Sequence, residues 1–238
     1  KKIIKKHFNR PDEYYCKLSI NKFHNLALKC QNEINKLNIF KKFYLYEKKF
    51  LNKLFLNDIP LFSSIITLRV VRPINKLNPQ TEQIGWHRET FYGRNTYIKD
   101  AMNLWIPIDN VNKSNNLRYI PKSHLIDDKK IIRRKFKPKA YFVKKFSKAH
   151  KLGYPYQPKK IISGVNLNKK KTFNVKTNSY LIFSQLLVHG NSLNLTNKIR
   201  FAINTGMVPK SKLKKNRIID KRKFNLKSKK NTLYKSFI

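Results

Sequence analysis

Apolar residues in the first quarter of the chain recur at helical spacing. After the start signal Pro11-Asp12-Glu13, the positions Tyr15, Leu18, Phe23, Leu26, Cys30, Ile34 and Leu37 follow at mixed, mostly three- and four-residue, steps. A second run, from about Lys41 to Asn57, puts Phe43, Tyr46, Phe50, Leu54 and Phe55 on one side. Pro60 closes it, because a proline inside a helix removes a backbone donor. The pattern predicts an N-terminal helical part over about 11–58 whose aromatic stripe packs against a sheet.

From residue 63 the pattern changes to that of strands. Ser64 to Arg72 is rich in β-branched residues and ends at Pro73; Tyr97 to Ile108, Ser179 to Phe183, Leu186 to His189 and Ile199 to Val208 are four more such runs. Strands with turn-rich spacers and no helices between them predict an antiparallel sandwich or barrel. Two irregular stretches interrupt them, 73–95 and 125–175; the second is Lys-rich, carries Pro138, Pro155 and Pro158, and is too long for a hairpin. We therefore expect one domain over 1–208, with a β core over about 63–208, followed by a solvated basic tail over 209–238.

Composition narrows the class. Of the 238 residues 40% are hydrophobic and 13% aromatic, which argues for a packed globule and against disorder. The 54 Lys and Arg stand against 12 Asp and Glu, a net charge of +42. Such a field recruits nucleic acid, an anionic surface or an anionic small molecule. Lys, Asn, Ile and Phe are abundant together, however, as A/T-rich codons would give, and the two origins stay open. Cys16 and Cys30, if they share one continuous helix, stand roughly 21 Å apart at about 1.5 Å per residue. That is too far for a disulfide, so free thiols in a reducing, cytoplasmic setting are expected. The absence of a long apolar run leads us to expect no membrane span and no secretory signal, while the start on Lys1-Lys2 without methionine suggests a missing upstream piece.

The chemistry is concentrated in few residues. His87-Arg88-Glu89 is followed about a hundred residues later by His189 and then Arg200. Two histidines and one carboxylate are the ligand set of non-heme Fe(II) oxygenases, leaving open positions on the metal. Zinc takes the same set, but the helix-borne His-Glu-x-x-His of zinc hydrolases is absent. On a strand, His87 and Glu89 would project together while Arg88 turns away. Alternation over Ile199 to Asn204 puts Arg200, Ala202 and Asn204 on one face, where a guanidinium invites a carboxylate partner. Arg69 and Arg72, ending the first strand, are candidates for a substrate phosphate or a co-substrate. Trp86, Phe91, Tyr92 and Trp105 flank the ligands as pocket walls or as core. His124 is expected to be a structural hydrogen-bonding residue, and His7, His24 and His150 to be exposed.

These blocks resemble the phytanoyl-CoA dioxygenase-like family of Fe(II)/2-oxoglutarate-dependent oxygenases. The likeness rests on Gly85-Trp86-His87-Arg88-Glu89, on Asn103 to Asp109, on Leu117 to His124 with its Pro-Lys-Ser-His turn, and on His189-Gly190-Asn191 through Asn194, Thr196 and Arg200. The resemblance implies a mainly β fold with N-terminal helices around a double-stranded β-helix core of the jelly-roll, cupin-like kind. It implies His87, Glu89 and His189 as ligands of Fe(II), Arg200 as the clamp for 2-oxoglutarate, and Asn191 and Asn103 as further co-substrate contacts, with O2 as oxidant. Glu89 replaces the commoner aspartate, and Asn115-Asn116 replaces a Gly-rich turn. The implied activity is oxidation, usually hydroxylation, of a C–H bond in a small anionic metabolite, such as a carbohydrate or secondary-metabolite precursor. The same chemistry directed at nucleic acid, and a non-catalytic β-helix binding domain, are the alternatives.

Overall fold

The computed structural model describes residues 1–63, 66–74, 85–92, 100–135, 159–212 and 234–235. Strand β10 (Arg200–Pro209) is the spine of the larger sheet. One of its edges pairs first with β2 (Thr67–Val71) and then with β1 (Pro60–Ser63), laid end to end. Its other edge pairs with β3 (Met102–Asp109), which pairs in turn with β8 (Leu181–Ser184). A smaller sheet runs β7 (Lys171–Thr172), β4 (Leu117–Tyr119), β9 (His189–Asn191). A separate ribbon joins β5 (Ile132–Lys135) to β6 (Lys159–Ser163). All these pairings are antiparallel, as predicted. Residues Tyr234–Lys235 of the expected tail form β11, which pairs with β1.

Alternation along β10 decides what each face of the larger sheet meets. Phe201, Ile203 and Met207 join a core with Leu68, Val70, Leu104 and the helices. Ala202 on the opposite face joins Trp105, Phe183 and Leu187 in a second core that reaches Leu117 of the smaller sheet. Two facing antiparallel sheets with helices outside make the double-stranded β-helix core that the family resemblance implied.

The helical part differs in detail from expectation. It comprises α1 (Lys2–His7), α2 (Asp12–Cys16), α3 (Ile20–Asn35) and α4 (Ile39–Leu54). The helix read as one run from Pro11 is broken before Ile20, where Ser19 caps α3 by accepting a hydrogen bond from Lys22 N at 3.4 Å. The five-residue step from Leu18 to Phe23 was the mark of that break. Cys16 and Cys30 thus lie on different helices, and both are buried free thiols. Pro60 opens β1; α4 stops earlier, with Leu56 and Asn57 in the left-handed region at φ 51 and 63. Side chains of α3 satisfy the open backbone beside β2: Leu68 N donates to Gln31 Oε1 at 2.9 Å, and Ile66 N to Asn35 Oδ1 at 2.7 Å.

Leu186 to His189, expected as a strand, is mostly a turn that delivers His189 to the start of β9. Parts of the irregular stretch 125–175 fold into the β5–β6 ribbon and β7, while 136–158 and most of 73–95 lie outside the described residues. Among the described residues, no helix is long and apolar enough to cross a membrane.

Candidate metal centre

His87 and His189 face each other across an antiparallel bridge. His87 N donates to His189 O and His189 N to His87 O, both at 2.9 Å. A directly opposed pair projects to one side of a sheet, and the ring centroids are 4.3 Å apart. Each ring is oriented from behind: Nδ1 of His87 lies 2.7 Å from Gly85 O, and Nδ1 of His189 lies 2.9 Å from Leu187 O. A carbonyl only accepts, so Nδ1 carries the proton and the Nε2 lone pair is left for a cation. Both Nε2 atoms aim at Glu89 Oε1, at 3.8 Å for His87 and 3.6 Å for His189. One ligand atom from each of the three residues lies within 4.8 Å of the others, close enough for one ion to join them.

Glu89 reaches this position by a different local structure from the one predicted. It opens a 3-10 turn, Glu89–Tyr92, and its N donates to Gln185 O at 3.1 Å. His87 alone is strand-like. Asn103 on β3, expected to line the co-substrate pocket, donates from Nδ2 to Glu89 Oε1 at 3.2 Å. Burial works to raise the carboxyl's pKa, but hydrogen bonds to His189 and His87 and the charge of those rings outweigh it and hold Glu89 well below the usual carboxylate range. Burial and then the neighbouring His189 lower His87. Two imidazoles and a carboxylate are a donor set for a divalent cation.

Arg200, first residue of β10, is fully buried. Its Nη1 donates to Asn115 O at 2.6 Å, whereas Nε and Nη2 have no hydrogen-bond partner among the described residues. Trp105 Nε1, on the same inner face, is likewise without one, and its ring centroid lies 6.0 Å from the guanidinium carbon. Burial and then the cation of Arg69 push Arg200 down to about 9. Two buried donors on one edge of a guanidinium match the two oxygens of a carboxylate. Asn191 lies on β9 two residues after His189, hence on the same face. Asn194 is structural: its amide donates to Val71 O and Lys198 O, and its oxygen accepts from Asn115 Nδ2, steadying the residue that holds Arg200.

Several expectations are corrected. Arg72 is not at a cavity mouth; it is buried, donates to Tyr15 O and Leu18 O at 3.2 and 2.8 Å, and covers the Phe23 ring. The cause is its place at the end of β2, under the α2–α3 break, where carbonyls need donors. His24 is buried and His7 pairs with Glu33, while His150 lies outside the described residues. His124 is exposed, and its neighbour Ser123 does the structural work by accepting from Val188 N at 2.8 Å. Trp86 packs behind the smaller sheet with Ile120 and Val188 under Arg118, and the side chains of Phe91 and Tyr92 lie outside the described residues. Sequence reasoning also missed the partners of Arg88, which is fully buried and paired with Asp128. No spacing rule links positions forty apart.

Among solved structures, the chain is similar to the non-heme monooxygenase ThoJ, at 13% identity and a TM-score of 0.40 over 64% of this chain and 48% of that one. It is similar to the non-heme α-ketoglutarate-dependent carbocyclase SnoK from nogalamycin biosynthesis, at 15% identity and a TM-score of 0.39 over 63% of this chain and 50% of that one. The epimerase SnoN in complex with Fe3+, α-ketoglutarate and nogalamycin RO gives 14% identity and a TM-score of 0.39 over 63% and 50%. The chain thus spans about half the length of these structures. No curated protein sequence matches it. The model of the phytanoyl-CoA dioxygenase family matches residues 67–202, more than half of the chain and the whole stretch from β2 into β10 that carries His87, Glu89, His189 and Arg200. The chain belongs to the phytanoyl-CoA dioxygenase family.

Proposed function

We propose that the chain is an Fe(II)- and 2-oxoglutarate-dependent dioxygenase that hydroxylates or otherwise oxidises a C–H bond of a small anionic metabolite. The observation that carries this reading is a pairing of two buried donor sets. Two imidazoles with Nδ1 tied back and Nε2 aimed at Glu89 suit a cation, and Arg200, with Nε and Nη2 unpartnered among the described residues, suits a carboxylate. His87, Glu89 and His189 would hold the iron, and Arg200 the distal carboxylate of 2-oxoglutarate. When bound, iron with 2-oxoglutarate and O2 supplies oxidation of a C–H bond, coupled to conversion of the co-substrate to succinate and CO2. The chain's own part is orientation and dryness. Gly85 O and Leu187 O fix the two rings, Asn103 fixes the carboxylate, and Phe183 closes on His189 edge to face at 4.7 Å.

The preference for an anionic substrate rests on the +42 charge and on Arg69, half-buried opposite Ala202 on the neighbouring strand, where its charge acts on Arg200. The family resemblance carried by Gly85-Trp86-His87-Arg88-Glu89 supports a carbohydrate or secondary-metabolite precursor. A single oxygenase domain over 1–208 is supported by one core cluster that joins Ile4 to Met207, and two buried cysteines outside any disulfide support a cytoplasmic setting. A nucleic-acid substrate is favoured by one observation, the β5–β6 ribbon that sets Arg134 opposite Lys160; steep salt dependence of substrate binding would mark it.

The test is anaerobic addition of Fe(II) and 2-oxoglutarate to metal-free protein, watching for the charge-transfer band of a chelated keto acid. His189→Ala should lose the metal, and Arg200→Ala should keep the metal but bind 2-oxoglutarate weakly. Protein that binds no Fe(II) and releases no succinate would be a non-catalytic binding domain instead.

A further inference from the structure

We propose that Asp128 is a positioning residue for Glu89, acting through Arg88 and Thr90 to fix how that carboxylate approaches the metal. The inference rests on the reading of His87, Glu89 and His189 as ligands. Arg88 and Thr90 are the residues on either side of Glu89. Asp128 takes both: Oδ1 accepts from Arg88 Nη1, and Oδ2 accepts from Thr90 Oγ1 at 3.0 Å. One planar carboxylate thereby fixes the backbone before and after the ligand.

The same turn also holds the other arm of the site. Arg88 Nη2 donates to Ser123 O and, at 2.8 Å, to Ile126 O. Ser123 Oγ accepts from Val188 N at 2.8 Å, and Ile120 N donates to Val188 O at 2.9 Å, immediately before His189. Residues 120–128 therefore reference both ligand-bearing segments to one piece of chain. Such a frame matters more for a glutamate than for an aspartate, because the extra methylene adds a torsion that must be frozen. Besides the two histidines, Asn103 steadies the Glu89 side chain, at 3.2 Å.

A purely structural role would be simpler: a buried arginine needs an acid. Thr90 argues against that as the whole account. It is only half-buried, so water could satisfy its hydroxyl, yet it spends its hydrogen bond on the same carboxylate.

The experiment titrates Co(II) into metal-free protein for Asp128→Ala, Asp128→Asn, Thr90→Val and the control Asp58→Ala, alongside melting temperature and hydrogen exchange at the Glu89 amide. Asp58 accepts from Ile59 N and Ser211 on the far side of the fold, so its loss reports stability alone. We expect Asp128→Ala to weaken Co(II) binding roughly tenfold to a hundredfold and to change the cobalt absorption band. Thr90→Val should have a smaller effect, and Asp128→Asn, which keeps one acceptor, should recover part of the loss. In metal-free Asp128→Ala, the Glu89 amide should exchange faster while the β3–β10 ladder keeps its protection. Asp58→Ala should lower the melting temperature and leave affinity and band unchanged. Wild-type affinity and band in both Asp128→Ala and Thr90→Val would overturn the proposal, as would losses that merely follow melting temperature. Should Asp128→Ala not fold, Thr90→Val and Asp128→Asn decide. Should the wild type bind no Co(II), the metal reading fails, and unchanged exchange at Glu89 would refute the clamp separately.

Discussion

Arg200→Met should make the metal-free protein more stable while abolishing its response to 2-oxoglutarate. The guanidinium is fully buried and makes one hydrogen bond, to Asn115 O, with Nε and Nη2 unpartnered among the described residues. A pKa pushed from the ordinary arginine range down to about 9, at about 1.4 kcal/mol per tenfold change in the protonation equilibrium, loads the folded state with roughly 5 kcal/mol. Methionine is long and unbranched, so it refills most of the volume. It leaves Asn115 O without its donor, which costs roughly 1–3 kcal/mol. The net gain is roughly 2–4 kcal/mol, or a rise of about 5–12 °C in melting temperature for a chain of this size. Because the folded value lies below the unfolded one, the burden is full below about pH 9 and fades as pH climbs toward the ordinary arginine range. The gap between variant and parent should thus hold from neutral pH to about pH 8. Scanning calorimetry without metal measures the gain. With Fe(II) present throughout under argon, adding 2-oxoglutarate should raise the parent by a further ~2.7 kcal/mol at a hundred times its Kd and leave the variant where Fe(II) alone puts it. A less stable metal-free variant would show that the guanidinium is satisfied inside the fold, and would refute its reading as a waiting anion site.

His24, buried and lowered to about 4 by burial and by the charge of Arg72, contributes stability that is present above pH 6.5 and lost as pH falls through about 4. Urea unfolding should show the parent losing about 3 kcal/mol more than His24→Gln across that window. Arg72→Met removes donors from Tyr15 O and Leu18 O and should destabilise by roughly 2–4 kcal/mol, with Co(II) affinity unchanged by titration. Neither cysteine should react with a thiol reagent in the native state, since both are buried and burial raises Cys30 to about 12; reaction should track global unfolding.

What the sequence revealed depended on how local the signal was. The alternation through Ile199 to Asn204 placed Arg200 and Ala202 on the inner face correctly, because a residue's face on a strand is a matter of parity. The pairing of His87 with Glu89 was also legible, although parity was the wrong reason: the carboxylate arrives from a 3-10 turn. The two-residue strand β7 and the three-residue β4 left no periodicity to read. Arg72 and Arg88 misled or escaped for one shared cause. A charged side chain in a basic chain gives no hint of burial, and both arginines are buried by carbonyls or an acid far away in sequence. Asn103 was placed in the site but not against Glu89, since that contact needs the turn at Glu89 and the strand β3 to be positioned together.

The site and the core are two sides of one strand, and this ties catalytic geometry to ordinary hydrophobic burial. On β10, Phe201, Ile203 and Met207 face the helices while Arg200 and Ala202 face inward. A slip of one residue against β3 would exchange the two sets, sending a cation into the aromatic layer of Phe40 and Phe62. At roughly 1.5–3 kcal/mol for each large apolar side chain withdrawn from that layer, three such residues outweigh any local preference for another register. The irregularity between Phe201 and Ala202, opposite Asp109 and Pro107, lets the strand keep this register while it carries Arg200 to Asn115. The helices, remote from His87 and His189, therefore hold the co-substrate arginine in place by occupying the far face. A core-deleting change there, such as Phe201→Ala, should weaken 2-oxoglutarate binding while the ligand pair, bridged within the smaller sheet, keeps its metal.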